Sequence, residues 1–364
     1  MTELTRVLWL EEIGKEDLPV VGGKGANLGE MIRAGFPVPP GFCLTTAAYQ
    51  EFLTENSLEE GVERIRLCLT DRARLEEEAG HMQSLIKAGK FSTVARQEIL
   101  TAYRRLLTKG VPQGLVAVRS SAVGEDLAEA SFAGQQETVL NVADATELLD
   151  AIRSCWASLW TVRAVHYRQD QWQETIGPTM AVVVQAMIPS QGAGVAFSAD
   201  PLTGEEVIVI EAAWGLGQGV VAGEVEADHY RVSKEALEEV GSAFVGNKRW
   251  QRVWHPGAGP GTVLVEVPPA DRERPVLNAT QVKELAGLVR ALDQYFGCPQ
   301  DVEWGLWNGK FYLFQTRPVT GRPSGFFTER IAGDDHLWTS GFFNERFPQP
   351  VSPLGWSLIR ELVE

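Results

Sequence analysis

The pattern of hydrophobic and polar positions changes after residue 107. From residue 47 to 107, apolar residues recur at helical spacing among many Glu, Lys and Arg residues, as Ile65, Leu75, Met82 and Ile86 illustrate. Such spacing is typical of amphipathic helices that bury one face. The N-terminal half of the chain is therefore predicted to carry a helical segment.

Short β-rich runs bounded by Gly, Pro or Asp follow this segment, and they predict strands at residues 115–118, 180–188, 207–211, 262–267 and 311–316. Two helices are predicted among them, near residues 145–171 and 280–296. Because strands and helices mix without a regular βαβ alternation, the predicted fold class is α+β (mixed α/β), with more than one sheet.

Length and charge narrow the class of protein. A chain of 364 residues with 44% hydrophobic residues favours two or three packed lobes over one core. The net charge of -15 argues against a nucleic-acid or membrane-surface partner. An anionic ligand would then need a local cluster of Lys and Arg, together with a metal ion. Without an apolar run of about 20 residues or a signal-peptide pattern, we expect a cytoplasmic enzyme.

Cysteines and histidines give no sign of a metal centre or a reactive imidazole. The four cysteines lack C-x-x-C spacing and are interpreted as buried thiols: Cys43, Cys68, Cys155 and Cys298. None of the five histidines lies in a Gly/Ser-rich loop, so structural or surface roles are expected for His81, His166, His229, His255 and His336.

A first candidate motif is the glycine-rich turn that contains Gly22, Gly23 and Lys24. Glycines let a backbone approach a ligand closely, and a lysine at the mouth of a following helix supplies a point charge for phosphate. The order of residues is not that of a Walker A loop. Taken alone, such a Gly-Lys turn is most often an ordinary loop.

A second candidate begins at a predicted strand that ends in Arg119, followed by Ser120 and Ser121 and then by a small-residue loop over residues 130–138. Guanidinium, hydroxyl and backbone N–H groups could hold phosphates together. A surface arginine beside a polar turn is the alternative interpretation.

A third candidate is a hairpin that carries Asp301 and Glu303 on one strand and Gln315 and Arg317 on the other. Carboxylate and amide oxygens suit Mg²⁺, and an adjacent arginine can neutralise a transferring phosphoryl group. The alternative is a solvated polar face without catalytic function.

The spacing within this hairpin makes a geometric prediction. Glu303 and Gln315 can share one metal ion only if their side chains leave the same face of the sheet. Direct opposition puts the midpoint at Gly309, which favours a three-residue loop, residues 308–310, over a two-residue Asn-Gly turn. A tight turn would oppose Glu303 to Phe314 unless a β-bulge restored the parity. We therefore expect a longer loop or a bulge between Trp304 and Phe314.

Two weaker signals remain in the sequence. The run from Trp214 to Gly219 resembles a dinucleotide loop but lacks the full strand, G-x-G-x-x-G and helix context, so a Rossmann interpretation is not favoured. The strand containing Gln185 and Met187 is most simply a buried strand, against whose end a base could lie.

Taken in order along residues 7–320, these motifs resemble the N-terminal nucleotide-binding domain of the family that contains phosphoenolpyruvate synthase, pyruvate phosphate dikinase and the rifampin phosphotransferases. The resemblance implies an ATP-grasp fold, in which two lobes close on Mg-ATP and the N-terminal half carries a helical insertion. Division into an N-terminal lobe at residues 1–180, a C-terminal lobe at 181–320 and a linker at 321–364 is expected.

The resemblance also implies roles for individual residues. Lys24 and Arg119 would hold phosphates, and the loop with Ser131 and Gly134 would cover them. The roles implied for the hairpin are metal ligation by Glu303 and Gln315, stabilisation of the transferring phosphoryl group by Arg317, and its orientation by Asp301. The residues implied near the nucleoside are Gln185 and Met187, beside adenine, and Glu211.

In this family the phosphoryl acceptor is a histidine on a mobile domain, and this sequence lacks that motif. The chain is therefore expected to be the phosphoryl-donor part of a phosphoenolpyruvate-synthase-like enzyme, with the histidine domain in cis or in trans. An antibiotic (rifampin-type) phosphotransferase is one alternative, since residues 343–356 depart from the best-known synthases. A non-catalytic nucleotide-binding regulatory module is another.

Overall fold

The structure is a computed structural model that describes residues 5–122, 137–169, 179–255 and 259–319. Its α-helices are α1 Leu18–Arg33, α2 Thr46–Glu55, α3 Glu59–Leu67, α4 Arg72–Ala88, α5 Thr93–Thr108, α6 Ala145–Ser158, α7 Val162–Gln169, α8 Gln218–Val221 and α9 Ala279–Phe296. Its strands are β1 Val7–Trp9, β2 Gly41–Leu44, β3 Val116–Ala122, β4 Thr138–Val142, β5 Met180–Ala186, β6 Gly192–Phe197, β7 Val207–Trp214, β8 Asp228–Ser233, β9 Trp250–Val253, β10 Val263–Glu266, β11 Gln300–Trp307 and β12 Lys310–Pro318.

Two five-stranded antiparallel sheets organise the described chain. The first has the order β1-β2-β5-β3-β4, and the second has the order β12-β11-β6-β7-β8. Strands β9 and β10 form a separate hairpin. The predicted α+β class with more than one sheet is confirmed, as is the helical segment, which comprises α2 to α5.

Strand β5 shows how the apolar pattern produces this arrangement. All seven of its residues are buried, because helices cover one face of the first sheet and the second sheet's core lies against the other. Val182 and Val184 point into the first core, whereas Ala181 and Val183 point into the second, as the two-residue period of a strand requires. A strand buried on both faces appears in sequence as a continuous hydrophobic run.

The two cores differ in what they join. The first packs α2 to α6 against the first sheet. The second brings together the other face of that sheet, α1, the inner face of the second sheet and α9. Residues from both halves of the chain therefore share the second core, as Val21 and Met31 of α1 do with Trp304 of β11.

A buried ion pair fastens the segment between β8 and α9 to the second sheet. Asp228 and Lys248 have fully buried side chains and are bonded to each other. The Asp228 carboxylate also accepts hydrogen bonds from the backbone N–H groups of Gly246 and Val276, at 3.1 and 2.8 Å. Burial beside this carboxylate raises the pKa of the Tyr230 phenol. Charges taken out of water in this way persist only when they are paired and hydrogen-bonded.

Several predictions about elements need adjustment. Strand β5 pairs with β2 and β3, so it lies in the first sheet, although a boundary at 180/181 would assign it to the C-terminal lobe. The helix expected near residues 145–171 is two helices, α6 and α7. Strands β1, β2, β4, β6, β8 and β9 were not predicted. The linker predicted at 321–364 lies outside the described residues, and the division into lobes remains a prediction.

Three of the four cysteines are buried, and Cys298 is half-buried. Burial raises the pKa of the Cys43 and Cys155 thiols, which keeps them protonated and unreactive. Within the described ranges, none of the helices combines the length and apolar character that crossing a membrane requires.

Candidate active site

A cavity of about 470 Å³ lies between the two sheets. This volume is typical of small-molecule sites. Seven of the residues singled out from the sequence line it: Lys24, Arg119, Gln185, Met187, Glu303, Gln315 and Arg317. Three of these carry positive charge and one carries negative charge, so the cavity is locally cationic within a strongly acidic chain. Such a balance favours an anionic ligand.

Lys24 lies just beyond a break in α1. Gly22 has φ 70° and ψ 175°, and the helix resumes after it with Lys24 in its first turn. The lysine is 4% exposed, and its Nζ donates a hydrogen bond to the Ser120 carbonyl of β3 at 3.1 Å. The glycine-rich motif is thus a helix break rather than an open loop, and it brings an ammonium group to the cavity wall.

Arg119 connects the two sheets. It projects from β3, is 7% exposed, and its Nη2 donates to Glu303 Oε2 at 2.8 Å and to Gln315 Oε1 at 2.6 Å. Its Nη1 donates to the Phe314 carbonyl at 2.7 Å. The planar guanidinium thus binds acceptors on both strands of one hairpin, a task for which its rigid fork of donors is suited.

The register of that hairpin agrees with the predicted pairing. Glu303 is opposite Gln315, and Asp301 is opposite Arg317, whose Nε donates to Asp301 Oδ2 at 2.9 Å. Opposed residues of an antiparallel pair project from the same face. The cavity is lined by Glu303, Gln315 and Arg317. Asp301 does not line it but forms an ion pair with Arg317.

Of the two alternatives that were expected, a longer loop or a bulge, the structure has the bulge. Trp307 pairs with Lys310, which leaves the two-residue turn Asn308-Gly309 with φ values of 49° and 72°. Positive φ at both positions is the geometry of a type I′ hairpin turn. The register then shifts between Glu303 and Trp304, and Phe314 is the extra residue on β12. The carbonyl of this extra residue is the acceptor of the hydrogen bond from Arg119 Nη1.

Much of the cavity wall is apolar. Gln185 and Met187 line it, with the Gln185 Nε2 donating to the Pro39 carbonyl at 3.3 Å and the Met187 N–H donating to the Leu115 carbonyl at 2.9 Å. These bonds fix the end of β5 where the chain passes from the first sheet to the second. An apolar wall beside a fixed backbone suits a flat heterocycle.

Five of the residues considered from the sequence lie away from this cavity or cannot be placed in it. Glu211 is on β7 and contacts His229 of β8, with 3.4 Å between Oε1 and Nδ1, and Val195 of β6 separates it from Glu303. Ser131 and Gly134 lie outside the described residues. The Ser120 and Ser121 hydroxyls, considered from the sequence as phosphate ligands, are fully buried and do not line the cavity.

The sequence did not identify several other residues of the wall. Leu216, Gly217 and Gln218 line the cavity from the run that resembled a dinucleotide loop, and Leu140 lines it from β4. A glycine-rich turn directly after a strand was the available signal for the first three. Leu140 could not be found in this way, because nothing in the sequence of β4 distinguishes it from a structural strand.

The β9–β10 hairpin ties the two sides of the cavity together near Leu140. The Gly261 N–H donates to the Leu140 carbonyl at 2.7 Å, and the Asn141 Nδ2 donates to the Gly261 carbonyl at 2.5 Å. On the other side, the Leu216 N–H donates to the Arg252 carbonyl at 2.8 Å. The hairpin therefore bridges β4 of the first sheet and the turn that follows β7 of the second.

Comparison with known proteins shows a match along most of the chain. The family model described as pyruvate phosphate dikinase, AMP/ATP-binding domain, matches residues 18–331. A probable phosphoenolpyruvate synthase of Methanothermobacter thermautotrophicus is 40% identical over 317 residues, covering 86% of this chain and 46% of the relative.

Two further relatives carry the name phosphoenolpyruvate synthase. The protein of Pyrococcus furiosus is 38% identical over 356 residues, covering 86% of this chain and 44% of the relative. The protein of Aeropyrum pernix is 40% identical over 328 residues, covering 82% and 40%. The chain thus spans less than half of the length of these three relatives.

Proposed function

Because the chain belongs to the pyruvate phosphate dikinase AMP/ATP-binding domain family, we propose that it is the ATP-dependent phosphoryl-donor part of a phosphoenolpyruvate-synthase-type phosphotransferase. Its mixed fold with several antiparallel sheets is consistent with an ATP-grasp domain. The observation that carries the proposal is the convergence of Lys24, Arg119 and Arg317 with Glu303 and Gln315 on one cavity.

The donor set fits a magnesium ion. Glu303 Oε2 and Gln315 Oε1 lie within 2.8 Å of a single atom, Arg119 Nη2, so a carboxylate and an amide oxygen converge on one point that already holds a cationic group. Mg²⁺ takes such oxygens and usually completes its shell with water and substrate phosphates. When bound, it would neutralise charge on the phosphates that are being transferred.

The chain's own residues would hold and neutralise ATP in this arrangement. Lys24 and Arg119 would bind the phosphates, and Arg317, oriented by Asp301, would stabilise the transferring phosphoryl group. Gln185 and Met187 would lie beside adenine. Phosphoryl transfer needs positioning and charge neutralisation more than covalent assistance from the protein, and these residues provide both.

We further propose that the acceptor is a histidine on another domain or protein. An imidazole nitrogen would form a bond to phosphorus as a P–O bond of ATP breaks, and the phosphohistidine would deliver the group to its final acceptor. Pyruvate is the final acceptor that the names of the relatives favour. No observation favours an antibiotic as acceptor, and a regulatory module would have no need for the charge-neutralising set. A cytoplasmic location also remains a prediction.

The experiment mixes the chain with ATP labelled in its β- and γ-phosphates and with the histidine domain of a relative as a separate protein. Label that is stable to alkali but lost in acid should appear on the added domain only when both the chain and Mg²⁺ are present. The chain alone should bind Mg-ATP and turn it over slowly, and a chelator should weaken binding strongly, because an acidic chain needs the cation to hold a polyphosphate. Equal ATP affinity with and without Mg²⁺, or rapid transfer to pyruvate by the chain alone, would contradict the proposal.

Replacing Lys24 or Arg119 by Ala should weaken Mg-ATP binding by about 1 to 3 kcal/mol each, because a charge-assisted hydrogen bond to phosphate is lost. Arg119→Lys should also weaken it, since an ammonium cannot replace the fork that binds Glu303, Gln315 and the Phe314 carbonyl. Calorimetric titration measures the affinities.

Lys109→Ala is the control for this series. Lys109 forms a surface ion pair with Glu11 and does not line the cavity, so its loss should leave the affinity unchanged. If Lys24→Ala and Arg119→Ala bind Mg-ATP as tightly as this control does, neither residue holds phosphate.

A further inference from the structure

The break in α1 lies between the two partners of a helical backbone hydrogen bond. In an uninterrupted helix the Gly25 N–H would donate to the Val21 carbonyl, four residues earlier. The left-handed conformation of Gly22, at φ 70°, separates these two groups. A side chain at position 22 would bring its Cβ within 2.2 Å of the Ser121 carbonyl oxygen, so glycine is required here.

The hydroxyl of Ser121 bridges these two groups. Its Oγ donates to the Val21 carbonyl at 2.7 Å and accepts from the Gly25 N–H at 3.1 Å. One hydroxyl from β3 thereby bonds both backbone groups of this helical pair. The insertion of a side chain into a helical hydrogen bond is a recognised cause of such a kink.

Lys24 lies within the segment that this hydroxyl spans. It immediately precedes Gly25, and its Nζ is bonded to the Ser120 carbonyl, so both the backbone and the ammonium of this turn are attached to adjacent residues of β3. With the backbone fixed at Gly25 and the side chain 4% exposed, the ammonium has little freedom to leave the cavity wall.

We propose that Ser121 is a positioning residue for Lys24: by bonding both the Val21 carbonyl and the Gly25 N–H, it fixes the turn that presents the lysine to the phosphates of ATP. Ser121 does not line the cavity and does not touch the ligand itself. The inference rests on the proposed function, since it concerns how that function's phosphate-binding lysine is held.

The chain supplies a matched control at the preceding residue. Ser120 is also a fully buried serine of β3, but it projects from the other face, and its hydroxyl has no hydrogen-bond partner among the described residues. Ser120→Ala keeps the backbone carbonyl that Lys24 binds. The two serine variants therefore remove the same group from neighbouring buried positions, and only one of the two groups bridges the helix break.

The test is a double-mutant cycle on Mg-ATP affinity, with thermal unfolding of every variant recorded in parallel. Ser121→Ala should lower the affinity by about five- to tenfold, within the range that one lost hydrogen bond gives, and Ser120→Ala by less than about twofold. In a Lys24→Ala background, Ser121→Ala should have no further effect on affinity, although its effect on thermal stability should remain. If Ser121→Ala does not fold, Ser121→Cys, whose thiol is a weaker donor and acceptor, should show a smaller loss that also disappears without Lys24.

The outcomes separate the inference from the proposed function. Full affinity in Ser121→Ala, or an equal loss with and without Lys24, would overturn the positioning role while leaving ATP binding intact. Full affinity in Lys24→Ala itself would overturn the phosphate site, and the inference would fail with it.

Discussion

Replacing Arg317 by Ala will lower the rate of phosphoryl transfer to the histidine domain by about 10³-fold or more, while the affinity for ATP changes by less than about tenfold. A guanidinium beside the transferring group acts mainly on charge that develops in the transition state, so its loss affects the rate more than binding. The structure places this residue on the cavity wall with its Nε bonded to Asp301. Single-turnover quenched-flow with labelled ATP measures the rate.

Arg231 provides a control on the same sheet. Arg231 lies on β8, in the same row of paired residues across the second sheet as Arg317 of β12. It is also paired with an aspartate, Asp200, at 2.7 Å, but it does not line the cavity. Arg231→Ala should keep the rate within about twofold, as is usual for a partly exposed ion pair. Equal losses in the two variants would show that the effect arises from general disturbance of the sheet.

Replacing Asp228 by Ala will lower the free energy of unfolding by about 3 to 5 kcal/mol, the usual effect of removing one partner from a buried ion pair. The substitution leaves the fully buried ammonium of Lys248 without its counter-ion. It also removes the acceptor of the Gly246 and Val276 N–H groups. Denaturant unfolding followed by tryptophan fluorescence measures the change.

Arg249, which follows Lys248 in the sequence, allows a buried ion pair to be compared with an exposed one. Arg249 pairs with Glu266 at 2.9 Å, and both side chains are at least half exposed. Arg249→Ala should cost about 1 kcal/mol or less, including its contact with the Trp250 ring. If Asp228→Ala costs no more than this control, the buried pair does not fasten the segment between β8 and α9.

The hairpin shows how far sequence reasoning could go with the candidate site. The hypothesis that Glu303 and Gln315 share one metal ion required them to lie on one face, and direct opposition of the two residues is the observed register. The choice between a longer loop and a bulge did not follow, because either satisfies the same parity. Asn-Gly is the preferred composition of a two-residue turn, and the hairpin has such a turn at Asn308-Gly309. The bulge at Phe314 then brings Gln315 opposite Glu303.

Contacts between distant parts of the chain were beyond the sequence. Arg119 was predicted to be a phosphate ligand, but its bonds to Glu303, Gln315 and the Phe314 carbonyl join residues almost 200 positions apart. No periodicity or local motif specifies such pairs. The bonds of the Ser121 hydroxyl to α1 were missed for the same reason, since its partners Val21 and Gly25 lie about 100 residues earlier.

The shared second core has a consequence for how the chain can be dissected. The topology suggests a natural cut between Ala186 and Gly192, where the polypeptide leaves the first sheet and enters the second. Apolar residues from both sides of that cut, among them Val183 and Ile210, bury one another in a single cluster. Each fragment would expose its half of this surface to water, at a cost proportional to the apolar area uncovered. Truncation between Ala186 and Gly192 should therefore give unstable fragments. The two sheets are better regarded as one folding unit, with the cavity between them.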